Sequence, residues 1–258
     1  NFLAYYFKDE LLKGSFEFSS GMLDLNELAG EDTEAESSES ETSSESEEDI
    51  EVIEIPDNID FVLNTKISKL MYDKLEITDI SGGVSLKKGT ASMNDLAMNM
   101  LDGSLILGGS YSTADITKPK ADFDMDIKGF DISKTFEAFN TVQKLAPIAE
   151  DCSGNFSMGL GFECILQQNM EPDMKTVNGN GDFHTKNIVI DNSTVFNKVG
   201  DLIKTDKFKT LNLSDVDFTF EIVDGNITVD PFESQFGKSS AVFGGSQNLD
   251  QTLAYNVN

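Results

Sequence analysis

The pattern of residues 211–246 occurs 136 positions earlier, over residues 75–110, without a gap. Leu75 matches Leu211, Ile77 matches Leu213, Asp79 matches Asp215 and Ile80 matches Val216, while Val84 stands for Phe220 and Leu86 for Ile222. Further on, Gly89 falls on Gly225, Met93 on Val229, and the run LILGGS at 105–110 on AVFGGS at 241–246. Few of these are identities. What recurs is apolar alternation punctuated by glycine at fixed places, which is what a repeated strand unit requires. The expected fold is therefore mainly β: a twisted, curved antiparallel sheet of duplicated strand units, forming a groove or a sandwich, with two packed helices.

With 258 residues, 39% of them hydrophobic, the chain can bury a sizeable core as one elongated domain or as two compact ones. Nineteen basic against 46 acidic residues give a formal charge of −27, which repels phosphate backbones, so no nucleic-acid partner is expected. The same balance disfavours docking on an anionic membrane, which uses clusters of Lys and Arg. Cys152 and Cys164 form no CxxC pair, and with a single histidine they are too few for a structural zinc site, so neither metal nor cofactor is expected. A disulfide between them stays open, although Cys164 is in register with the apolar residues of a strand, as a buried thiol would be. No run of about 18 apolar residues exists to span a bilayer as a helix. Both ends read as cut from something longer.

In chain order, residues 1–29 alternate weakly, with Phe16 and Phe18 on one face, and read as the tail of an upstream β unit. Residues 30–49 are Glu, Asp, Ser and Thr with almost nothing apolar, an acidic linker that cannot bury enough to offset its ordering entropy. Its carboxylates lack the glycine-centred spacing of a calcium loop. A first β repeat with a helix is expected over 50–150, and a second with an inserted helix over 151–258. Within the first, Ile53 and Ile55 alternate with Glu51 and Glu54 as a strand, and residues 61–67 form another. Residues 75–112 read as a meander of about four short strands broken at Gly82, Gly83, Gly89 and Gly103. Phe123, Met125 and Ile127 alternate with Asp122, Asp124 and Asp126, giving one apolar face and one wet face. Ser133 is an N-cap candidate for a helix carrying Phe136, Phe139, Val142 and Leu145 until Pro147 stops it. A second helix is expected over 194–207.

The most regular strand lies between these helices: Phe156, Met158, Leu160, Phe162, Cys164 and Leu166 occupy every second position. Burying each large side chain contributes about 1.5–3 kcal/mol, and ordering each residue costs about 1–2 kcal/mol. Such a strand needs neighbours or a ligand over that face. Catalytic constellations are thin by comparison. His184 is the lone histidine, no serine sits in a GxSxG elbow, and the glycine runs lack the lysine and helix of a phosphate loop, so no catalytic residue is expected. The glycines at 179 and 181, with the two Gly-Gly-Ser runs, read as hairpin turns and strand kinks.

What remains is an excess of apolar β surface rich in Phe and Met, including Phe218, Phe220 and Ile222 in the later copy and Met93, Met98 and Met100 in the earlier one. It serves equally as a sandwich core or as an open trough for acyl chains, where each buried CH₂ contributes about 0.8 kcal/mol. The candidates for lining it are Phe156, Met158, Leu160, Phe162, Cys164, Leu166, Phe218, Phe220 and Ile222.

The succession IPDNIDF at 55–61, LDG at 101–103, GGSY at 108–111 and API at 146–148, followed by the strand after Gly154, resembles AsmA-like proteins. In the second half, NGNGDF at 178–183, the inserted helix, DGNI at 224–227 and DPF at 230–232 resemble the AsmA C-terminal region. The likeness covers about residues 50–258. It implies a member of the TamB-related envelope proteins of Gram-negative bacteria, anchored in the inner membrane by a segment absent here and projecting into the periplasm. It further implies a non-enzymatic role, a β groove carrying phospholipid or another long-chain lipid toward the outer membrane. The alternative is a structural or chaperone-like module whose sheet edges pair with envelope β-proteins.

Overall fold

The computed structural model describes residues 11–30, 52–191, 193–194, 197–198, 201, 209–236, 239–249 and 253–257. The acidic run at 31–49 lies outside them. Alternation dominates what is described: thirteen strands join in one sheet. They are β1 (Leu12–Ser20), β2 (Leu23–Asp24), β3 (Ile59–Tyr72), β4 (Leu75–Lys87), β5 (Thr90–Met100), β6 (Gly103–Ser112) and β7 (Lys120–Asp131). After two short helices follow β8 (Cys152–Ile165), β9 (Asn178–Asp191), β10 (Thr210–Val223), β11 (Asn226–Phe236), β12 (Ser239–Asn248) and β13 (Leu253–Val257). From β3 to β13 each strand pairs antiparallel with the next in sequence. Only β1 and β2 break the rule, both pairing parallel with β3. The sheet runs on across residue 150, because β7 and β8 are hydrogen-bonded neighbours.

The two copies coincide strand for strand. Strands β5 and β6 map onto β11 and β12 with identical bounds at the 136-residue offset, and β4 maps onto β10 to within one residue. The hairpins match too: Lys88 and Gly89 have φ 51° and 71°, and Asp224 and Gly225 have φ 49° and 76°. Two consecutive positive φ values make the tight hairpin whose twist suits the flanking strands. Even the irregularity recurs, a register shift between Met93 and Leu96 in one copy and between Val229 and Phe232 in the other.

Several expectations are corrected. The segment 75–112 holds three strands instead of four, because Gly82 and Gly83 sit inside β4, where they accommodate a bulge instead of a turn. Residues 52–56 form no strand; the Ile55 N–H donates to the Thr113 hydroxyl at 2.8 Å. Gly179 and Gly181 lie within β9 and make no turn. The helix expected from Ser133 is two helices, α1 aside (Leu25–Gly30): α2 (Ile132–Ala138) and α3 (Asn140–Leu145), divided at Phe139, whose φ of −123° and ψ of 110° are extended. Its N-cap is Asp131, whose carboxylate accepts the Lys134 N–H at 2.8 Å, while Ser133 instead donates to the Cys152 carbonyl at 3.0 Å. Of the helix expected over 194–207, Thr194, Asn197, Lys198 and Asp201 have helical backbone and the rest lies outside the described residues. Within 11–29, β1 joins this same sheet by pairing with β3.

Buried residues gather at the two ends of the strands. At one end Met100, Ile127, Phe130, Ile132, Cys152, Phe156, Ile190 and Leu211 form a cluster beneath α2. At the other, Ala121, Cys164, Leu166, Val177 and Ile222 pack together, with Tyr111 and Met170 against them. The groove-or-sandwich alternative is thereby narrowed: among the described residues a single sheet carries all the strands, and no second sheet lies across its apolar face.

Candidate functional site

Between the two clusters the apolar face continues with no second layer over it among the described residues. Cross-strand pairing lines up Leu96, Leu107, Met125, Leu160, Gly181 and Phe220 as one row across β5 to β10, every one of them half-buried. The next row is Met98, Leu105, Ile127, Met158, Phe183 and Phe218, of which Ile127 alone is fully buried. Neither row contains a charge. Their outward neighbours do: Asp122, Asp124 and Asp126 on β7 are exposed on the opposite face, as alternation requires. At about 4.8 Å between strands, the two rows run roughly 24 Å from β5 to β10.

Raised margins border this strip. Along one, α2 packs on β8, and the 3₁₀ turn Pro147–Asp151 leads back into the sheet, its Ile148 carbonyl accepting the Cys152 thiol at 3.2 Å. Along the other, the Tyr111 hydroxyl donates to the Ile53 carbonyl at 2.9 Å and lies 3.4 Å from Met170 Sδ, tying the segment before β3 and the loop after β8 over the strand ends. Among the described residues the result is a half-buried floor between two covered edges.

A ladder of phenylalanines crosses the floor. Phe130 on β7 meets Phe156 on β8 edge-on, with centroids 6.1 Å apart and planes at 83°. From Phe156 the rings stack: onto Phe183 at 5.4 Å and 12°, then Phe218 at 5.0 Å and 17°, Phe232 at 4.9 Å and 27°, and Phe243 at 5.6 Å and 26°. Six consecutive strands thus each contribute one ring. Aromatic pairs of this kind add about 0.5–1.5 kcal/mol beyond the area they bury. Glycine makes room for rings beside the ladder: a Cβ on Gly181 would lie 2.5 Å from Phe220 Cζ, and one on Gly109 would lie 2.9 Å from Phe123 Cδ1. No other residue fits under those rings.

All nine sequence candidates lie on this face, but at different depths. Met158, Leu160, Phe162, Phe218 and Phe220 are half-buried on the floor, whereas Phe156, Cys164, Leu166 and Ile222 are buried in the margins. Sequence reasoning missed Phe183, Phe232 and Phe243 as members of one ladder. Their shared row depends on which strands pair and in what register, and alternation within a strand does not carry that information.

The two cysteines sit near opposite ends of β8 and are both free. At about 3.3 Å per residue they are roughly 40 Å apart, far beyond the reach of a disulfide. Burial, with the Asp151 charge second, pushes the Cys152 thiol up to about 11, and burial raises Cys164 as well. Neither is primed as a nucleophile. His184 is on the outward face, with Nε2 2.9 Å from Asp182 and Nδ1 3.0 Å from Asp217. The Ser157 hydroxyl, across the strand from it, accepts the Gly129 N–H at 3.1 Å. Among the described residues, no group of three or more His, Cys, Asp or Glu is placed to hold a metal ion, and no helix is long and apolar enough to cross a membrane.

Comparison of the chain with family models, with curated proteins and with solved structures finds no match.

Proposed function

We propose that this chain is a non-enzymatic binder of lipid acyl chains, which lie along the open apolar strip across the strands. The observation that carries this reading is the uncharged, half-buried floor, uncovered among the described residues by any second layer. A face of that size costs free energy in contact with water, and a flexible hydrocarbon guest recovers about 0.8 kcal/mol for each CH₂ it buries there. Roughly 24 Å of strip exceeds one leaflet's share of the bilayer hydrocarbon thickness, about 15 Å of about 30 Å, so one acyl chain fits along it. Methionine and leucine on the floor adapt to guests of variable shape. The resemblance to AsmA-like proteins extends the proposal to phospholipid transport and outer-membrane biogenesis in the periplasm of a Gram-negative cell, the full-length protein being anchored in the inner membrane.

A photo-crosslinking scan over residues 157–163 tests it. Lipid should label positions 158, 160 and 162 and spare 157, 159, 161 and 163; equal labelling of both sets would refute an acyl chain on the inner face. A second reading, pairing with envelope β-proteins, is favoured by β1. Among the described residues this strand pairs only with β3, and its Phe16 and Phe18 are 53% and 41% exposed. Native mass spectrometry of protein taken from membranes separates the two: co-purifying phospholipid supports the first, and a lipid-free chain that captures strand peptides supports the second.

A further inference from the structure

We infer that the later half of the strip selects unsaturated over saturated acyl chains. This rests on the acyl-chain reading above and adds the chemistry of the guest. A phenylalanine standing up from a strand points its para C–H away from the sheet. In the ladder the planes of Phe183, Phe218, Phe232 and Phe243 lie within 17–27° of their neighbours, with centroids 4.9–5.6 Å apart along the row. Rings packed so closely face one another and turn their rims toward the open side. An aromatic ring is negative on its face and positive at its edge, so the floor here is a row of weakly positive C–H edges.

A saturated chain offers such edges only dispersion. A carbon–carbon double bond offers them a π cloud, and the contact becomes electrostatically complementary, as in an edge-to-face aromatic pair. The earlier half of the strip lacks this property. At the same offset Phe218 is replaced by Gly82, Phe220 by Val84, Phe232 by Leu96 and Phe243 by Leu107. Its floor of Leu and Met does not distinguish the two kinds of chain by charge.

The test uses the whole chain and three lysophosphatidylcholines of equal chain length: stearoyl, with no double bond; oleoyl, with one cis; and elaidoyl, with one trans. Oleoyl and elaidoyl should each bind about threefold or more tighter than stearoyl, corresponding to the lower part of the range for an edge-to-face contact. The trans isomer separates the π cloud from the bend in the chain; if it binds like stearoyl, the inference is overturned. The double variant Phe232→Leu/Phe243→Leu carries the residues that the earlier copy already uses at these places, and Phe243→Leu alone is the milder form. In both the ratio should fall, further in the double variant, and an unchanged ratio overturns the inference. Equal binding of all three lipids by the unmodified chain overturns it as well, leaving acyl-chain binding intact. Binding of none overturns the underlying reading.

Discussion

Strands β4–β6 and β10–β12 agree in bounds to within one residue, in the φ values of one hairpin and in the place of a register shift, yet they present different floors. The earlier copy offers Gly82, Val84, Leu96 and Leu107; the later offers Phe218, Phe220, Phe232 and Phe243. What the copies share includes what the backbone needs: the positive-φ hairpins at 88–89 and 224–225, the glycines at 109 and 245, and apolar alternation. At Val84, Leu96 and Leu107 the later copy carries phenylalanine on a half-buried face, whereas Gly82, with φ 151° and a Cβ position 2.8 Å from Leu96 Cα, has no room for the ring of its counterpart Phe218. Substitutions between the copies fall on both faces of the sheet, and on the floor they exchange aliphatic for aromatic side chains.

The largest effect that would sharpen this contrast is at the shared glycines. Gly109 has φ 127°, and a Cβ there would lie 2.1 Å from the Asp122 carbonyl. Gly109→Ala should cost about 3–4 kcal/mol, read as a lower urea midpoint with an unchanged slope. Gly245, at the same place with φ 155°, faces the short β13, so Gly245→Ala should cost less; equal costs would show the two backbones to be held alike.

A smaller effect is expected at the bulge. Asp95 has φ 47°, and the residue at its place in the later copy is Pro231, whose ring excludes positive φ. Asp95→Pro should therefore cost about 2–3 kcal/mol and Pro231→Asp about 1 kcal/mol or less. If Asp95→Pro melts with the unmodified chain, the two bulges share one geometry and the contrast drawn at this point fails.

The smallest concerns the floor itself. Phe232→Ala removes one half-buried ring from between Phe218 and Phe243, and should cost about 2 kcal/mol; Leu96→Ala, its counterpart, should cost about 1 kcal/mol. Both values sit below those for closed cores because these side chains already see solvent. A cost near 4 kcal/mol at either site, in a thermal or urea melt, would mean that the floor is a packed interior.

Legibility in the sequence followed the range of the interaction. The duplicated copies, the break at Gly89 and the wet face of β7 were accessible because each is written in a short-range pattern of residues. The helix break at Phe139 was not, since the periodicity of Phe136, Phe139 and Val142 continues across it while the backbone turns to reach the sheet. The parallel pairing of β1 with β3 joins segments on either side of the acidic run, and nothing local encodes it. The ladder is the clearest case: each ring was visible, but the row formed by Phe156, Phe183, Phe218, Phe232 and Phe243 exists only after four registers are set.

By itself the sequence determined which side chains of one strand share a face, because two-residue alternation is a property of the extended backbone alone. Depth was decided by the tertiary structure. Cys164 and Leu166 alternate in step with Leu160 and Phe162, yet the first pair is buried and the second half-exposed. The difference is what lies on top: the loop after β8 covers the strand end, and among the described residues nothing covers the middle. Burial belongs to the packing of distant segments, which no single strand's pattern records.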